Sequence, residues 1–251
     1  MVRRAHVVLA GNDHLAEYAR AERGSGQGVH IVPTVVDTER FRPAAGEKAG
    51  VPGGDPEDGA GGAEATPGPT TEATDAGDPP TLGWVGTHST LRYLADLYPT
   101  LVEARRRTPF RLRVVCNRPP EGVPEALDVV FERWTPEREV AHFHGLRAGL
   151  YPLPDDPWTR GKCGFKALQY LACGVPAIAS PVGVLARIVR EGETGFQART
   201  PEDWTRAVEV VCGDPARARA LGRAGRALVE RDYSVPVAAD ALARALREAL
   251  R

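Results

Sequence analysis

Two lysines, Lys162 and Lys166, stand four residues apart where a polar loop passes into a segment of helical character. Only one other lysine, Lys48, occurs in the chain, whose cations are otherwise arginines. A lysine near a helix N-terminus is electrostatically unfavourable unless an anion lies close by. The four-residue spacing places both side chains on one face if both are helical. The pair therefore predicts a site for a phosphate-bearing ligand, and two solvated lysines are the alternative.

The residues just before this pair are also polar. Asp155 and Asp156 precede Pro157, which is typical of a turn, and their alternative role is hydrogen bonding to sugar hydroxyls. The whole stretch 148–183 passes from an apolar strand through this loop into a short helix and a second apolar strand. Such βαβ units bind anions at the loop after the first strand and at the helix N-terminus.

A second small-residue turn, GWVGTHS, closes the strand predicted at 82–85. Gly86 allows close approach of a ligand to the backbone, and free amides after it can meet an anion. The motif is not a complete GxGxxG, so a simple tight turn is the alternative. His88 is the best-placed candidate for a general base, with His142 and His144 behind it, although lone histidines are more often structural.

The elements that must position these residues follow from apolar periodicity and turn signals. Strands are predicted at 6–10, 29–36, 82–85, 111–116, 128–132, 148–153, 177–180 and 195–198. Helices are predicted at 12–23, 90–107, 135–146, 165–173, 184–190, 201–211, 215–230 and 235–251. Apolar strands that alternate with helices predict an α/β fold, a Rossmann-like doubly wound parallel sheet of six strands from Leu82 onward.

Residues 43–80 differ from the rest in composition. They are Gly, Pro, Ala, Thr, Asp and Glu with almost no large apolar side chain, and this predicts a disordered insert. It is either a tolerated loop insertion or a linker. The predicted division is an N-terminal segment 1–42, the insert 43–80 and a main domain 81–251.

Composition and charge narrow the function classes. The formal net charge of −1 argues against bulk nucleic-acid binding. The four cysteines form no CxxC pair and have no histidine at ligand spacing, so we expect no metal site and reduced thiols. No apolar run reaches the ~18 residues of a membrane span, and the N-terminus lacks a signal-peptide core. A cytoplasmic protein is expected.

Four segments carry a family resemblance: VHIVPTVVDTERFRP, LGWVGTHSTLRYL, GKCGFKALQYLACGVPAIASPVG and EGETGFQARTPEDWTRAV with the helical tail. At these residues the chain resembles the family 4 glycosyltransferases of the GT-B fold, mostly their C-terminal, donor-binding half. The resemblance implies transfer of a sugar from a nucleotide-sugar, with retention of configuration and without a metal or other cofactor. It also implies that residues 1–42 are a remnant of the N-terminal acceptor domain.

The resemblance assigns roles to individual residues. Gly86, Thr87 and Arg92 would approach the donor diphosphate, and Gly164 would lie at the donor site. Lys162 and Lys166 would neutralise the diphosphate as the catalytic cations. Two glutamates of the family pattern fall on Gly161 and Gln169 here. Gln169 can still hydrogen-bond a ribose hydroxyl but lacks the charge.

Three readings remain open on these residues. The chain is an enzyme, a non-catalytic nucleotide-sugar- or partner-binding module, or one subunit completed by a separately encoded acceptor domain. We also expect the segment 2–42 and the last helix to pack poorly or to mediate association.

Overall fold

The computed structural model describes residues 2–24, 28–44 and 78–250. Most of the predicted insert 43–80 lies outside these residues. The strands are β1 Val8–Ala10, β2 Val29–Ile31, β3 Thr81–Val85, β4 Arg111–Cys116, β5 Val129–Arg133, β6 Ala148–Tyr151, β7 Ala177–Ala179 and β8 Gly195–Gln197. The α-helices are α1 Asp13–Arg23, α2 Leu91–Ala95, α3 Tyr98–Arg107, α4 Pro157–Arg160, α5 Phe165–Ala172, α6 Leu185–Ile188, α7 Pro201–Gly213, α8 Pro215–Asp232 and α9 Val235–Ala249.

The main sheet is parallel throughout and has the strand order β5-β4-β3-β6-β7-β8. Its central strands are apolar because both faces are covered: Leu82, Val114 and Ile178 are fully buried. Two separate apolar clusters pack on the sheet, one around α5 and one around α3 and α7. The predicted doubly wound α/β fold is confirmed.

The helix predicted at 90–107 is wrong as a single element. A short 3-10 turn, His88–Thr90, leads into α2, and a break at residues 96–97 separates α2 from α3. Pro99 explains the break, because its ring would clash with the carbonyl of Ala95 in a continuous helix. At the second position of α3 the same proline is well tolerated.

The helix predicted at 135–146 is replaced by two 3-10 turns, Pro136–Arg138 and Ala141–Phe143. The tighter winding buries two adjacent side chains completely. His142 hydrogen-bonds Glu132 of β5, and Phe143 packs edge-on against Tyr170 of α5. In the opposite direction, the loop after β6 contains a short helix, α4, that periodicity did not predict.

An N-terminal unit of β1, α1 and β2 forms a parallel two-stranded sheet with a helix on one face. Asn12 caps α1, and Gly24 ends the helix in the left-handed conformation. Pro33 ends β2 early, and Val36 then pairs with Ser234 at the start of α9. The segment that follows β2 thus joins the N-terminal unit to the residue at which α9 begins.

Candidate functional site

The candidate site lies where β3 and β6 are neighbours at the centre of the sheet. From β3 the chain proceeds outward to β4 and β5, whereas β6 leads outward to β7 and β8 on the other side. The register of β3 with β6 pairs Gly83 with Gly149 and continues no further toward the carboxyl ends. In doubly wound sheets, ligands bind in the crevice outside the carboxyl ends of the strands at such a switch point, which here is the β3–β6 crevice.

Tyr170 of α5 forms the floor of the crevice. Its hydroxyl accepts a hydrogen bond from the Val85 amide at 2.9 Å and donates to the Gly83 carbonyl at 3.1 Å. Val85 lies beyond the last residue pair that β3 forms with β6. The ring packs over Gly149, where a Cβ would lie 2.3 Å from it. Burial raises the pKa of Tyr170, so its hydroxyl stays neutral.

The glycine turn after β3 forms one wall, but its first amides are occupied. Gly86 donates to the Val115 carbonyl at 3.0 Å, and Thr87 donates to the Thr90 hydroxyl at 3.2 Å. The expectation of free amides after Gly86 is therefore corrected at Thr87 and also at His88, whose amide donates to Asn117. A Cβ at Gly86 would lie 2.3 Å from the Trp84 ring, so this glycine is required for packing.

The glycine turn after β3 exposes side-chain hydroxyl groups to solvent. The Thr87 and Ser89 hydroxyls are exposed and lie 2.9 Å apart. His88, the favoured candidate base, is held by Asn117, which accepts from the His88 amide at 2.9 Å and contacts its Nδ1 at 3.2 Å. This wall can thus hydrogen-bond phosphate or sugar oxygens through side chains.

Arg92 extends from the same wall. Its guanidinium lies over the Tyr93 ring at 4.9 Å and donates to the Tyr93 hydroxyl at 3.0 Å. The hydrogen bond to Tyr93 raises the pKa of Arg92, and the charge of Asp156 adds to this effect.

The two aspartates of the opposite wall have structural roles. Asp156 caps α4 by accepting from the Thr159 amide at 2.7 Å, and this bond, with the charge of Arg92, lowers the pKa of Asp156. Asp155 forms a bidentate ion pair with Arg160 at 2.6 and 3.2 Å. Both side chains serve the turn before α4, which is the first of the two roles considered for them.

The two lysines do not share a helical face. Helix α5 begins at Phe165, so Lys166 is helical and Lys162 lies in the preceding turn. Lys162 Nζ lies 5.8 Å from the Trp158 ring, beside an apolar groove of about 710 Å³ between α1 and α4. Lys166 Nζ instead lies 5.8 Å from the Phe143 ring. The expectation that both lie on one face is corrected, because Gly164 ends the turn between them.

The N-terminus of α5 opens between these lysines. Its cap residue is Gly164, with a φ of +71°, and no side chain caps the helix. The first amides of an uncapped helix are hydrogen-bond donors without intrahelical partners and attract anions. A Cβ at Gly164 would lie 2.6 Å from Ile188, so both conformation and packing require glycine there.

A polar network crosses the base of this corner. Lys166 donates to Gln169 Oε1 at 2.8 Å, Gln169 donates to Glu139 at 3.4 Å, and Glu139 pairs with Arg40 at 2.8 Å. Burial lowers the pKa of Lys166, and the charge of Glu139 acts in the opposite direction. Gln169 is fully buried with both ends of its amide engaged. Because Gln169 is fully buried, a ribose hydroxyl would reach its amide only if the surrounding side chains moved.

Glu139, Arg40 and Tyr170 were missed at the level of sequence. Glu139 lies in a loop with no motif, and Arg40 reaches it from 99 residues away. Tyr170 resembles an ordinary apolar helix residue. The usable sequence signal was Gly149, because a glycine inside an apolar strand indicates that another group packs closely against the backbone.

The other two candidate histidines, His142 and His144, make structural contacts. His142 is buried against Glu132, and this hydrogen bond, with Arg113, lowers the pKa of Glu132. His144 contacts the Arg42 carbonyl at 2.9 Å. Within residues 2–24, 28–44 and 78–250, no group of three His, Cys, Asp or Glu residues could hold a metal ion. No helix in the same ranges is long and apolar enough to span a bilayer.

Comparison with known proteins gives consistent matches. A family model described as "Glycosyl transferases group 1" matches residues 79–214. A D-inositol 3-phosphate glycosyltransferase of Segniliparus rotundus is 29% identical over 95% of this chain and 50% of its own length. A GDP-mannose-dependent alpha-(1-6)-phosphatidylinositol monomannoside mannosyltransferase of Mycolicibacterium smegmatis is 28% identical over 86% of this chain and 58% of its own.

Solved structures share the fold. HepE of Anabaena, crystallised in complex with UDP-glucose, superposes with a TM-score of 0.69 at 13% identity, covering 98% of this chain and 65% of its own. The solved structures matched in this way are glycosyltransferases of the GT-B fold. The chain spans about half the length of the curated relatives it matches.

Proposed function

Because the chain belongs to the group 1 glycosyltransferase family, we propose that its β3–β6 crevice binds a nucleotide-sugar and that the chain supplies the donor-binding half of a glycosyltransferase. The observation that carries the proposal is the uncapped N-terminus of α5, which opens at the sheet's switch point beside Lys166. Backbone amides and a lysine lie together there, and a diphosphate accepts hydrogen bonds from both kinds of donor.

Relatives support this ligand class. One matched relative is named as GDP-mannose-dependent, and a protein of the same fold has been crystallised with UDP-glucose. These names do not identify the nucleotide base of this chain's donor, which a binding titration identifies.

We assign the roles as follows. The α5 amides, Lys166, Lys162 and Arg92 hold the diphosphate, with the Thr87 hydroxyl on the opposite wall. The ribose lies next to the Lys166–Gln169–Glu139 network. As the bond to the sugar breaks, negative charge grows on the leaving nucleoside diphosphate, and fixed amides and cations stabilise that charge. The transfer proceeds with retention of configuration.

The test is calorimetric titration of the purified chain with UDP, GDP and their common sugar conjugates. We expect micromolar binding of one nucleotide and a loss of about 100-fold in affinity for Lys162→Ala/Lys166→Ala, because charge-assisted hydrogen bonds are removed. The control is Arg244→Ala/Arg247→Ala, which removes the same charge from exposed positions of α9. Absence of binding to every nucleotide, or unchanged affinity in the lysine variant, contradicts the proposal.

Gln169 favours a second candidate, a non-catalytic nucleotide-sugar- or partner-binding module. Gln169 has no charge and is fully buried. The other glutamate of the family pattern falls on Gly161, which has no side chain to contact the sugar. Sugar transfer to any acceptor by this chain contradicts that candidate. Transfer only after addition of a separate acceptor-binding protein supports a two-subunit enzyme.

A further inference from the structure

Asn12 joins the N-terminal unit to the corner that carries Lys162. The residue is 1% exposed and makes two kinds of hydrogen bond. Its Oδ1 accepts from the Leu15 amide at 2.9 Å and so caps α1. Its Nδ2 lies 3.4, 3.0 and 3.2 Å from the carbonyl oxygens of Arg160, Gly161 and Lys162.

The second set of contacts separates Asn12 from an ordinary cap. Serine, threonine and aspartate cap helices as well as asparagine does, and none of them carries an amide donor on its side chain. The three carbonyls belong to the end of α4 and the turn that follows it. Carbonyls at a helix C-terminus have no intrahelical partners, so a buried donor that satisfies them fixes the path of the turn.

The surrounding contacts show that the two parts meet closely. Asp13 forms an ion pair with Arg187 of α6 at 2.5 Å. Asn12 Nδ2 lies 3.9 Å from Cys163 Sγ, and a Cβ at Gly11 would lie 2.5 Å from the same sulfur. The turn that carries Lys162 is therefore held from the side of the N-terminal unit.

We propose that Asn12 is a positioning residue: it fixes the 160–162 turn, and through that turn it couples docking of the N-terminal unit to donor affinity. The coupling rests on the proposed donor site, whereas the anchoring of the turn does not. Undocking of the unit releases three carbonyls, and the path from α4 to Gly164 and α5 is no longer set.

Two substitutions isolate the amide donor. Asn12→Asp keeps the shape and the cap but replaces the donor with an acceptor that faces three carbonyls. Asn12→Ser keeps a cap and removes the reach without adding charge. Asp214→Asn is the control for an acid–amide exchange in the reverse direction at an exposed cap, because Asp214 caps α8 by accepting from the Arg217 amide at 2.8 Å.

Cys163 supplies a direct readout of the turn. Cys116, Cys173 and Cys212 are buried, and Cys163 is the one partly exposed thiol of the four. Its rate of alkylation by iodoacetamide, followed by peptide mass spectrometry, reports opening of the contact with Gly11 and Asn12. We expect both Asn12 variants to react about tenfold faster than the parent, as loss of hydrogen bonds implies.

The second readout is the affinity for the nucleotide-sugar that the parent binds. We expect both Asn12 variants to bind it about tenfold more weakly at an unchanged far-ultraviolet spectrum, and Asp214→Asn to match the parent in both measurements. Unchanged alkylation in both variants overturns the anchoring. Faster alkylation with unchanged affinity overturns the coupling. Where the parent binds no nucleotide-sugar, the proposed function fails and the coupling with it, and alkylation still decides the anchoring.

Discussion

Tyr170 and Gly149 act as a pair at the centre of the molecule. The ring occupies the space that a side chain at Gly149 would fill, and its hydroxyl completes the hydrogen bonding of β3 where β6 diverges. Buried backbone atoms beyond the last pair of two diverging strands need a partner of this kind. The residue that makes the site possible therefore need not touch the ligand.

Tyr170→Phe removes this hydroxyl and with it the hydrogen bonds to the Val85 amide and the Gly83 carbonyl. We expect a loss of about 1–3 kcal/mol in the free energy of unfolding, the cost of unsatisfied buried polar groups. Urea denaturation of parent and variant measures it. Tyr233→Phe is the control, since the Tyr233 hydroxyl makes no hydrogen bond to the described residues. Equal stability of Tyr170→Phe and the parent contradicts this account of the floor.

The residues of the corner show what sequence spacing cannot supply. Lys162 and Lys166 were identified by their rarity and by their place after β6, and the structure places Lys166 in α5 and Lys162 in the turn before it. Their separation by Gly164 depends on a positive φ, which the sequence allows at any glycine. Lys166 donates to Gln169, three residues further along the same helix, and this contact can be predicted from spacing. Glu139, which accepts from Gln169, is brought near only by tertiary packing.

At the scale of elements, apolar periodicity predicted all six strands of the main sheet to within about two residues, because buried parallel strands are continuous apolar runs. It failed where local signals oppose the pattern. Pro99 divides a periodic helical stretch, and α4 is formed by a capping aspartate and a proline rather than by periodicity. Such short elements depend on caps and on packing more than on composition.

Arg226 shows how one side chain of α8 holds an irregular segment. Its guanidinium donates to the carbonyls of Thr38 at 2.9 Å and Ala172 at 2.8 Å, and also to that of Phe41. The fork thereby fastens the segment after Val36 to the end of α5. Glu139 and Lys166 depend on this path, because Arg40 lies within the same segment.

Arg226→Lys keeps the charge but replaces a planar fork with a single ammonium. We expect amide exchange at Phe41, which donates to Asp37 at 2.8 Å, to become about tenfold faster as two carbonyl contacts are lost. Hydrogen exchange read by mass spectrometry on the 37–42 peptide measures this. Arg223→Lys, at an exposed position of the same helix, should leave the exchange unchanged. Equal protection in all three proteins would show that packing of Phe41 alone holds the segment.

At the scale of the whole molecule, the N-terminal unit and α9 are the weakly covered parts. Leu9 of β1 and Ile31 of β2 are exposed, as are Leu242 and Leu246 of α9. An ion pair of 3.5 Å between His30 and Glu248 joins these elements. Exposed apolar side chains on neighbouring elements favour association.

Helix α9 should consequently open more readily than α8. Its described residues bury one side chain, Ala245, whereas α8 buries six residues, so less apolar surface opposes local unfolding of α9. We expect amides of Val235–Ala249 to exchange about 100-fold faster than those of Pro215–Asp232 at low protein concentration.

Sedimentation velocity should show association that increases with concentration and is weakened by Leu246→Glu, while Arg247→Glu, an exposed charged position on the same helix, has less effect. A monomer at all concentrations with α9 protected as strongly as α8 would mean that Ala245, the His30–Glu248 pair and the pairing of Val36 with Ser234 suffice to hold the helix.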